Sequence, residues 1–364
     1  MSRKDEIKKM WADVFGDSKE YVDMYFDRVY RDCDAMTLCT DGHVVSSLLL
    51  QPYAMTFHGH PTSASYIAGA ATRRNMRGRG LMSALMADAL DTSRARGDII
   101  TCLIPASGYL YRYYSRFGFA TVALTDVMRY TSLHAFAPTE EESAGEFTPV
   151  DDLFDERVSN AVAAFERELP QATLLHSRRD YLNILDDLSL DGGLCAAVTD
   201  AVGDVAAIGW ARPAPDGSGV IRVDEILYRT DAARLAVLRI MRAKWPDTPF
   251  AILAPVTSGG RCKPTKRGMA RIVNAGKALG LIASDNPGLR LTLRVTDPLM
   301  PVNDGVYRLA DGECIQSTDT EPEPKHLDFD IDIITLAELI FSSPEAGSIT
   351  GLPAQRLRMA LMLD

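Results

Sequence analysis

The chain has 364 residues, of which 46% are hydrophobic and 24% are charged, a composition close to that of ordinary globular proteins. This length predicts two or three domains, with cores large enough to need neither a disulfide nor a structural metal. The formal net charge of −10 excludes a general nucleic-acid binder, which needs a basic face, and favours cationic small molecules or basic peptides as partners.

The N-terminal segment and the cysteines indicate where the protein works. Residues 1–16 are charged and amphipathic, and they lack the apolar core of a secretory signal. No run of about 18 apolar residues predicts a membrane span. The six cysteines are scattered, without a CxxC pair or a histidine at ligand spacing, so the pattern predicts no disulfide framework and no metal site. A reducing cytoplasm is the expected location.

The first part of the chain, up to residue 136, alternates helix and strand signals in the order ααβββαβαββ. Apolar residues at helical spacing identify the helices, and turn signals such as Asp41-Gly42 separate neighbouring strands. The predicted helices are 3–15, 18–30, 80–95 and 107–116, and the predicted strands are 36–40, 43–57, 63–72, 98–104 and a pair near 119–130.

Two further regions follow an acidic, proline-rich stretch at 137–152, whose composition predicts a linker. The second region echoes the element order of the first. Its predicted helices are 152–168, 178–187 and 231–244, with strands at 194–199, 204–212, 219–228 and 250–255. The third region contains predicted helices at 269–282, 335–341 and 353–363 and strands at 289–296, 305–309 and 327–333.

The most informative segment runs from a predicted strand through an Arg- and Gly-rich turn into a helix. Residues 73–82 are RRNMRGRGLM, with four arginines in seven positions and two glycines at the helix entry. The first N–H groups of a helix have no intrahelical partner and carry the positive end of its dipole. The turn therefore predicts either a cradle for a pyrophosphate or a solvated basic loop. Lys263, Lys266 and Arg267 are further candidates for an outer phosphate, or for a solvated loop.

The turn resembles the acyl-coenzyme A (acyl-CoA) binding motif of the GNAT acetyltransferase superfamily, Arg/Gln-x-x-Gly-x-Gly/Ala. Met82 stands where that motif has a small residue. The resemblance implies that acetyl-CoA is the co-substrate, that no metal is used, and that the preceding strand pairs with the pantetheine as an added half-strand. The residues implied for the strand are Ala70, Ala71 and Thr72, and those for the pyrophosphate are Arg77, Gly78, Arg79, Gly80, Leu81 and Met82.

A second informative segment is the tyrosine-rich stretch that ends in Phe117-Gly118-Phe119. GNAT enzymes often carry a general acid a few residues before such a sequence, and Tyr114 is at the matching position. A phenol has one proton to give, which suits return of a proton to the departing CoA thiolate. Helical spacing leaves Tyr113 and Tyr111 as alternatives, and an aromatic helix packed on the sheet is the structural alternative.

The chain as a whole resembles the enhanced intracellular survival (Eis) family, and residues 267–273, 295–299 and 303–307 resemble its third domain. The implied fold class is α+β / α/β: tandem GNAT folds, with mixed central sheets flanked by helices, and a C-terminal sterol-carrier-protein-like α+β domain. The implied domains are a GNAT domain at 1–136, an acidic linker at 137–152, a degenerate GNAT domain at 153–266 and the sterol-carrier-like domain at 267–364. The resemblance also implies a homo-oligomer, a trimer or a hexamer.

The implied reaction is direct transfer of an acetyl group from acetyl-CoA to a primary amine of a polyamine, an aminoglycoside or a lysine side chain. An acidic cleft would attract this cationic acceptor, and Glu20, Asp23 and Asp27 are candidates for lining it or for a solvated helix face. Asp364 would carry a C-terminal carboxylate as the base, although relatives usually end in an aromatic residue, and a solvated terminus is the alternative. The rival functions are a non-catalytic acyl-CoA sensor, an apolar-ligand carrier and transfer of a longer acyl group.

Overall fold

The computed structural model describes residues 1–137, 146–256, 264–317 and 326–363, and within these ranges it is a mixed α/β protein. Its α-helices are α1 (Arg3–Phe15), α2 (Lys19–Met24), α3 (Leu81–Ala95), α4 (Gly108–Ser115), α5 (Glu156–Glu168), α6 (Arg178–Leu190), α7 (Asp231–Lys244), α8 (Ala275–Asp285), α9 (Ile333–Ile340) and α10 (Pro344–Thr350). A π-helical turn (Tyr25–Val29) continues α2, and 3₁₀ turns occur at Arg74–Met76 and Pro301–Asn303.

The strands fall into three groups along the chain. The first group is β1 (Ala35–Thr40), β2 (His43–Phe57), β3 (His60–Thr72), β4 (Ile100–Leu103) and β5 (Ala120–Tyr130). The second is β6 (Thr148–Pro149), β7 (Ala172–Leu175), β8 (Leu194–Thr199), β9 (Val205–Pro213), β10 (Ile221–Tyr228) and β11 (Phe250–Pro255). The third is β12 (Thr265–Ile272), β13 (Leu291–Thr296), β14 (Gly305–Ala310), β15 (Glu313–Gln316), β16 (Phe329–Asp332) and β17 (Leu357–Arg358).

Strand β5 joins the two halves of the large sheet. Its first half pairs with β12 and, at Ala123, also with β17, whereas its second half pairs with β11. The pairings from β12 through β4, β3, β2, β7 and β17 return to β5 and so close a ring of strands. From β11 the sheet continues through β10, β9 and β8 to β6. A separate four-stranded sheet has the order β15-β14-β13-β16.

The N-terminal helices form largely as their periodicity predicts. A capping box between Ser2 and Asp5 begins α1, and Trp11 on its apolar face is buried. The predicted helix at 18–30 is divided, because α2 gives way to the π-helical turn. Tyr25 and Phe26 in that turn are both fully buried.

Residues 269–272 form the end of β12 and not the start of the predicted helix 269–282. In this strand Met269 pairs with Leu103 of β4, while Ala270 pairs with both Cys102 of β4 and Ala120 of β5. Because both edges of β12 are hydrogen-bonded to distant strands, the local apolar periodicity does not decide the conformation. Helix α8 begins only at Ala275.

Residues 353–363 are also not the predicted helix, since none of them is helical and they include β17. Leu357, Met359 and Leu361 are buried, and the residues between them are more exposed, which is the two-residue period of a strand. Strand β17 fills the space between β5 and β7. Strand β7 was not predicted, and the predicted strand pair at 119–130 is the continuous strand β5.

The core of the C-terminal part is continuous with that of the first part. Leu279 and Ile282 of α8 and Leu336 of α9 belong to the same buried cluster as Ile100 of β4. Residues 138–145 of the predicted linker lie outside the described residues, whereas Thr148–Pro149 pairs with β8. Among the described helices, none combines the length and the apolar character that crossing a bilayer requires.

Candidate active site

The first component of the site is the place where two parallel strands separate. Strands β3 and β4 pair at Ala64↔Ile100, Ser65↔Thr101 and Tyr66↔Cys102. Strand β4 then ends at Leu103, while β3 continues to Thr72 against β2 on its other edge. In the described residues no strand covers the β4-facing edge of β3 beyond Tyr66. Such an edge can accept an extended ligand through main-chain hydrogen bonds.

A β-bulge shapes this open edge. Leu49 pairs with Ala68 and Ser47 with Ala71, so Gly69 and Ala70 together face the single residue between Ser47 and Leu49. Gly69 has φ +58°, and a Cβ there would overlap the indole ring of Trp11. Only glycine fits this left-handed position under a packed ring. The bulge therefore re-aims the backbone of the segment that follows it.

The predicted pantetheine-binding residues lie in that segment. Ala71 is buried, and Ala70 and Thr72 are half-buried. The Ser46 hydroxyl donates to the carbonyl of Ala71 over 3.2 Å, and its oxygen lies 2.9 Å from Oγ1 of Thr72. These bonds hold the end of β3 in a fixed conformation beside its open edge.

The Arg- and Gly-rich turn leads directly from β3 into α3. Gly78 and Gly80 have φ of +76° and +77°, and no atom lies within 4 Å of a Cβ built on either. Gly80 caps α3 without a side-chain hydrogen bond, and the first helical bond runs from the N–H of Ala84 to its carbonyl. The described part of the chain provides no partner for the N–H groups of Leu81, Met82 and Ser83. A 15-residue helix thus presents a free N-terminus at an open turn.

Three of the four arginines in this turn are used by the protein itself. Arg77 donates to the carbonyl of Thr72 over 3.1 Å, and Arg74 lies 3.4 Å from the carbonyl of Asp13. Arg73 forms an ion pair with Glu6 at 3.2 Å. Among the described residues Arg79 has no partner, which leaves its guanidinium available to an anion. Met82 is half-buried and packs against the core cluster that includes α4.

Helix α4 carries the candidate acid. Tyr114 is buried, at 8% exposure, and its ring packs edge-on against Tyr113 and Phe119. Burial raises the pKa of Tyr114 to about 12. Each of two neighbouring tyrosines has a cation over its ring, the Arg116 guanidinium for Tyr113 and the Lys266 ammonium for Tyr111. Within the described ranges the hydroxyl of Tyr114 has no hydrogen-bond partner.

A cleft opens where the C-terminal segment meets β5, β11 and β12. It is a shallow opening with room for about 50 Å³, and its wall includes residues 356–360. A Cβ on Gly268 would lie 3.0 Å from the carbonyl of Leu103 and 3.2 Å from Cε of Met359. Met359 therefore stands beside the end of β4, so the cleft adjoins the point where β3 and β4 part.

The charged residues of this cleft were largely missed by sequence reasoning. It is lined by Asp224, Glu225, Arg267, Arg356 and Arg358. Arg267 was predicted only as a candidate for an outer phosphate or a solvated loop, and Lys263 lies outside the described residues. The alternation of Arg356 and Arg358 with Leu357 and Met359 is the sequence signal that could have predicted a half-buried strand here.

Two other predictions of acidic groups have different outcomes. Asp364, the candidate base, lies outside the described residues. Asp23 is 2.7 Å from Lys8 and 2.6 Å from Lys19, Asp27 is 3.8 Å from Lys4, and neither aspartate lines the cleft. No group of three or more potential metal ligands was found in the described part of the chain.

Two family models match the chain. An acetyltransferase (GNAT) domain matches residues 2–122, and a sterol carrier protein domain matches residues 276–350. The first match contains the parted strands, the Arg- and Gly-rich turn and Tyr114. No curated protein has a significant match to the sequence.

Solved structures with this fold cover nearly the whole chain. A probable N-acyltransferase from Enterococcus faecalis has a TM-score of 0.75 at 18% identity, over 98% of this chain and 95% of its own. A GCN5-related N-acetyltransferase from Anabaena variabilis has a TM-score of 0.73 at 17% identity, over 96% and 91%. Eis1 from Mycobacterium abscessus has a TM-score of 0.71 at 14% identity, over 98% and 92%. The predicted fold class is confirmed, and the chain is an acyltransferase that contains a GNAT acetyltransferase domain at residues 2–122 and a sterol carrier protein domain at residues 276–350.

Proposed function

We propose that the protein is an N-acetyltransferase that moves an acetyl group from acetyl-CoA to a primary amine by direct attack. The observation that carries this proposal is the continuity of the open β3 edge with the Gly78–Gly80 turn and the free N-terminus of α3. The open edge of β3 can form main-chain hydrogen bonds with an extended ligand. The N–H groups of α3 can bind an anion at one end of that ligand. A pantetheine arm that ends in a pyrophosphate has this combination of groups.

In this proposal Ala70, Ala71 and Thr72 pair with the pantetheine amides, and the thioester lies near the bulge at Gly69. The pyrophosphate accepts from the first N–H groups of α3, which follow the turn. Arg79 adds a charge-assisted bond, since its guanidinium has no described partner within the protein. The residues of the cradle are Arg77, Gly78, Arg79, Gly80, Leu81 and Met82.

Tyr114 is proposed to protonate the departing thiolate. The amine nitrogen forms the new bond to the acetyl carbon, the bond from that carbon to sulfur breaks, and the phenol gives its proton to the sulfur. The base accepts the proton that the nitrogen loses and returns it to the phenolate. Asp364 is the candidate for this base. A pKa of about 12 keeps Tyr114 protonated at neutral pH.

The packing of the C-terminal part favours an enzyme over an apolar-ligand carrier. Leu279, Ile282, Leu336 and Ile340 are fully buried in the core shared with the first part. These side chains of α8 and α9 are thus already covered by protein. The proposal keeps the cytoplasmic location that the cysteine pattern predicts and the trimer or hexamer that the resemblance to the Eis family implies. Light scattering of the purified protein would test the oligomer.

The proposal is tested by thiol release from acetyl-CoA, detected with Ellman's reagent across a panel of primary amines. Amine-dependent release that is lost in Tyr114→Phe while acetyl-CoA still binds would support an acetyltransferase. Acetyl-CoA binding without release for any amine would contradict the proposal and favour a sensor. Thiol release only from acyl-CoA donors with longer chains would show that such a donor, and not acetyl-CoA, is the co-substrate.

A further inference from the structure

We infer that the acceptor carries an oxyanion, a carboxylate or a phosphate, in addition to the amine that is acylated. This inference rests on the proposed function, because it assigns the cleft between β5, β12 and the C-terminal segment to the acceptor. It departs from the acidic cleft and the cationic acceptor that net charge favours. The argument depends on which charges in the cleft are already neutralised and which are not.

Both described carboxylates in the cleft are already paired. Asp224 lies 2.9 Å from Nε of Arg212 and 2.5 Å from Nε of Arg222, and its side chain is only 3% exposed. Glu225, at 6% exposure, forms an ion pair with Arg358. A cationic acceptor would have to displace an arginine from one of these buried pairs. Such a pair loses much of its stability when one partner is removed.

Arg267 is directed by a bulge into the same cleft. In the pairing of β12 with β5, Lys266 pairs with Leu124 and Gly268 with Ala123, so Arg267 is an extra residue between them. A bulge residue is released from the normal alternation of side chains, and bulges recur beside active sites. Among the residues that the structure describes, the guanidinium of Arg267 has no hydrogen bond and no ion pair. Its charge acts on Tyr111, which lies on the helix that carries Tyr114.

Arg356 is the second cation without a described partner. The residue before it is anchored at three points: Gln355 donates to the carbonyls of Ile340 and Pro170 and accepts from the N–H of His58, all at 2.8 Å. The carbonyl of Arg356 itself accepts from Ala172 over 2.9 Å. The nearby Glu338 forms no ion pair with Arg356, although both line an adjacent depression. Arg356 is therefore held at the cleft by its backbone while its guanidinium stays free.

Together these groups make the cleft locally positive in a protein whose net charge is −10. Guanidinium groups bind carboxylates and phosphates through two parallel hydrogen bonds, which gives orientation as well as affinity. An acceptor anchored by its anion on Arg267 and Arg356 would present its amine from a fixed distance. The cleft itself has room for only about 50 Å³, but the adjacent depression shares Leu124, Arg356 and Leu357 with it and provides about 300 Å³, at the lower end of the range for small-molecule sites.

The test compares matched acceptors that differ only in the anion. Lysine is compared with cadaverine, and glucosamine 6-phosphate with glucosamine, with acetyl-CoA saturating in every assay. We expect the anionic member of at least one pair to have a KM at least about 10-fold lower, as a charge-assisted bond predicts. The lysine pair reports a carboxylate, and the glucosamine pair reports a phosphate.

Variants then assign the effect to the two arginines. Arg267→Gln and Arg356→Gln should raise KM for the anionic acceptor about 10-fold, with little change in kcat. Each removes a contact that stabilises the bound acceptor and the transition state equally. Arg267→Lys should restore part of the loss, which shows that the site has folded. The matched control is Arg290→Gln, since Arg290 is 57% exposed and paired with Asp311 in the C-terminal part.

The possible results separate this inference from the proposed function. Turnover of cadaverine and glucosamine equal to or better than that of their anionic partners would overturn the inference and leave the acetyltransferase intact. An increase in KM for acetyl-CoA instead of the acceptor, in either Gln variant, would also overturn it. Absence of thiol release with every amine, including those without an anionic group, would contradict the proposed function itself.

Discussion

The guanidinium of Arg271 occupies the space that a side chain on Gly118 would need. Arg271 is fully buried in β12, and its Nη2 lies 2.7 and 2.8 Å from the two carboxylate oxygens of Asp297. Gly118 follows the helix of Tyr114 and has φ +81°. A buried ion pair that links β12 to the C-terminal part therefore packs directly against the turn behind the candidate acid.

Gly118→Ala should be strongly destabilising. A Cβ at this position would overlap Nη1 of Arg271, and the left-handed backbone adds strain for any residue with a side chain. We expect a loss of at least about 3 kcal/mol in the free energy of unfolding, measured with denaturant. Gly217→Ala is the control, because Gly217 has φ +68° but no atom within 4 Å of its Cβ position. Equal losses in the two variants would contradict this account of Arg271.

Breaking the Arg271–Asp297 pair should cost about 3–5 kcal/mol of stability, because the remaining charge is left buried without compensation. Arg271→Met and Asp297→Leu each remove one partner, and both positions are fully buried. The double variant should lose less than the sum of the single losses, and a double-mutant cycle by denaturant unfolding measures the difference. Additive losses would show that the two groups are not coupled.

Tyr114→Phe should lower kcat about 100-fold or more, as removal of a general acid does, while the melting temperature and acetyl-CoA affinity stay close to wild type. Phenylalanine retains the ring contacts with Tyr113 and Phe119. Tyr113→Phe is the matched control, since it removes the phenol hydroxyl of the adjacent residue on the same helix and should lower turnover less. A larger fall in kcat for Tyr113→Phe than for Tyr114→Phe would indicate that Tyr113 is the general acid.

Gly80→Ala should weaken acetyl-CoA binding at least about 10-fold. Gly80 has φ +77° directly before α3, where an alanine would strain the turn and place a methyl group beside the free N–H groups. Calorimetric titration of the folded variant with acetyl-CoA measures the change. Gly217→Ala again serves as the control, because it has the same backbone strain in a turn of the middle part. Unchanged affinity in Gly80→Ala would contradict the placement of the pyrophosphate.

Stability should decrease as the pH rises through the neutral range because of His176. Burial opposes the charged imidazole, but the carboxylate of Glu166, 2.5 Å from Nδ1, outweighs it and raises the pKa of His176. The folded state therefore holds this proton above the unfolded pKa of about 6.5, and the stabilisation is lost as the pH passes the folded pKa. The slope contributed by this proton is at most about 1.4 kcal/mol per pH unit.

The measurement is the difference in unfolding free energy between wild type and His176→Gln from pH 6 to 9. This difference isolates His176 from groups with the opposite sign, such as His58, whose pKa is lowered by burial. The advantage of the wild type should be largest near pH 6 and should shrink with rising pH. A difference that does not vary with pH would contradict a raised pKa for His176.

Local chemistry explains which parts of the site could be predicted. Residues 77–82 predict a strand-to-helix turn because the conformational effect of glycine is local in sequence, and the structure has that turn. The bulge at Gly69 depends on Trp11, and the position of Arg267 depends on β5, so no local pattern reveals them. The same cause underlies the helix predicted at 269–282, since pairing of β12 with β4 and β5 overrides the helical period of its apolar residues.

The position of β17 has a consequence for the order in which the protein is made. Leu357 and Arg358 fill the gap between β5 and β7, and residues 356–360 complete the cleft. Until this segment leaves the ribosome, the edges of β5 and β7 that it covers stay open to other chains. A translation product that stops before Leu357 would lack both the strand that closes the ring and one wall of the cleft. Acyl transfer would thus begin only in chains that have been completed at least to this strand.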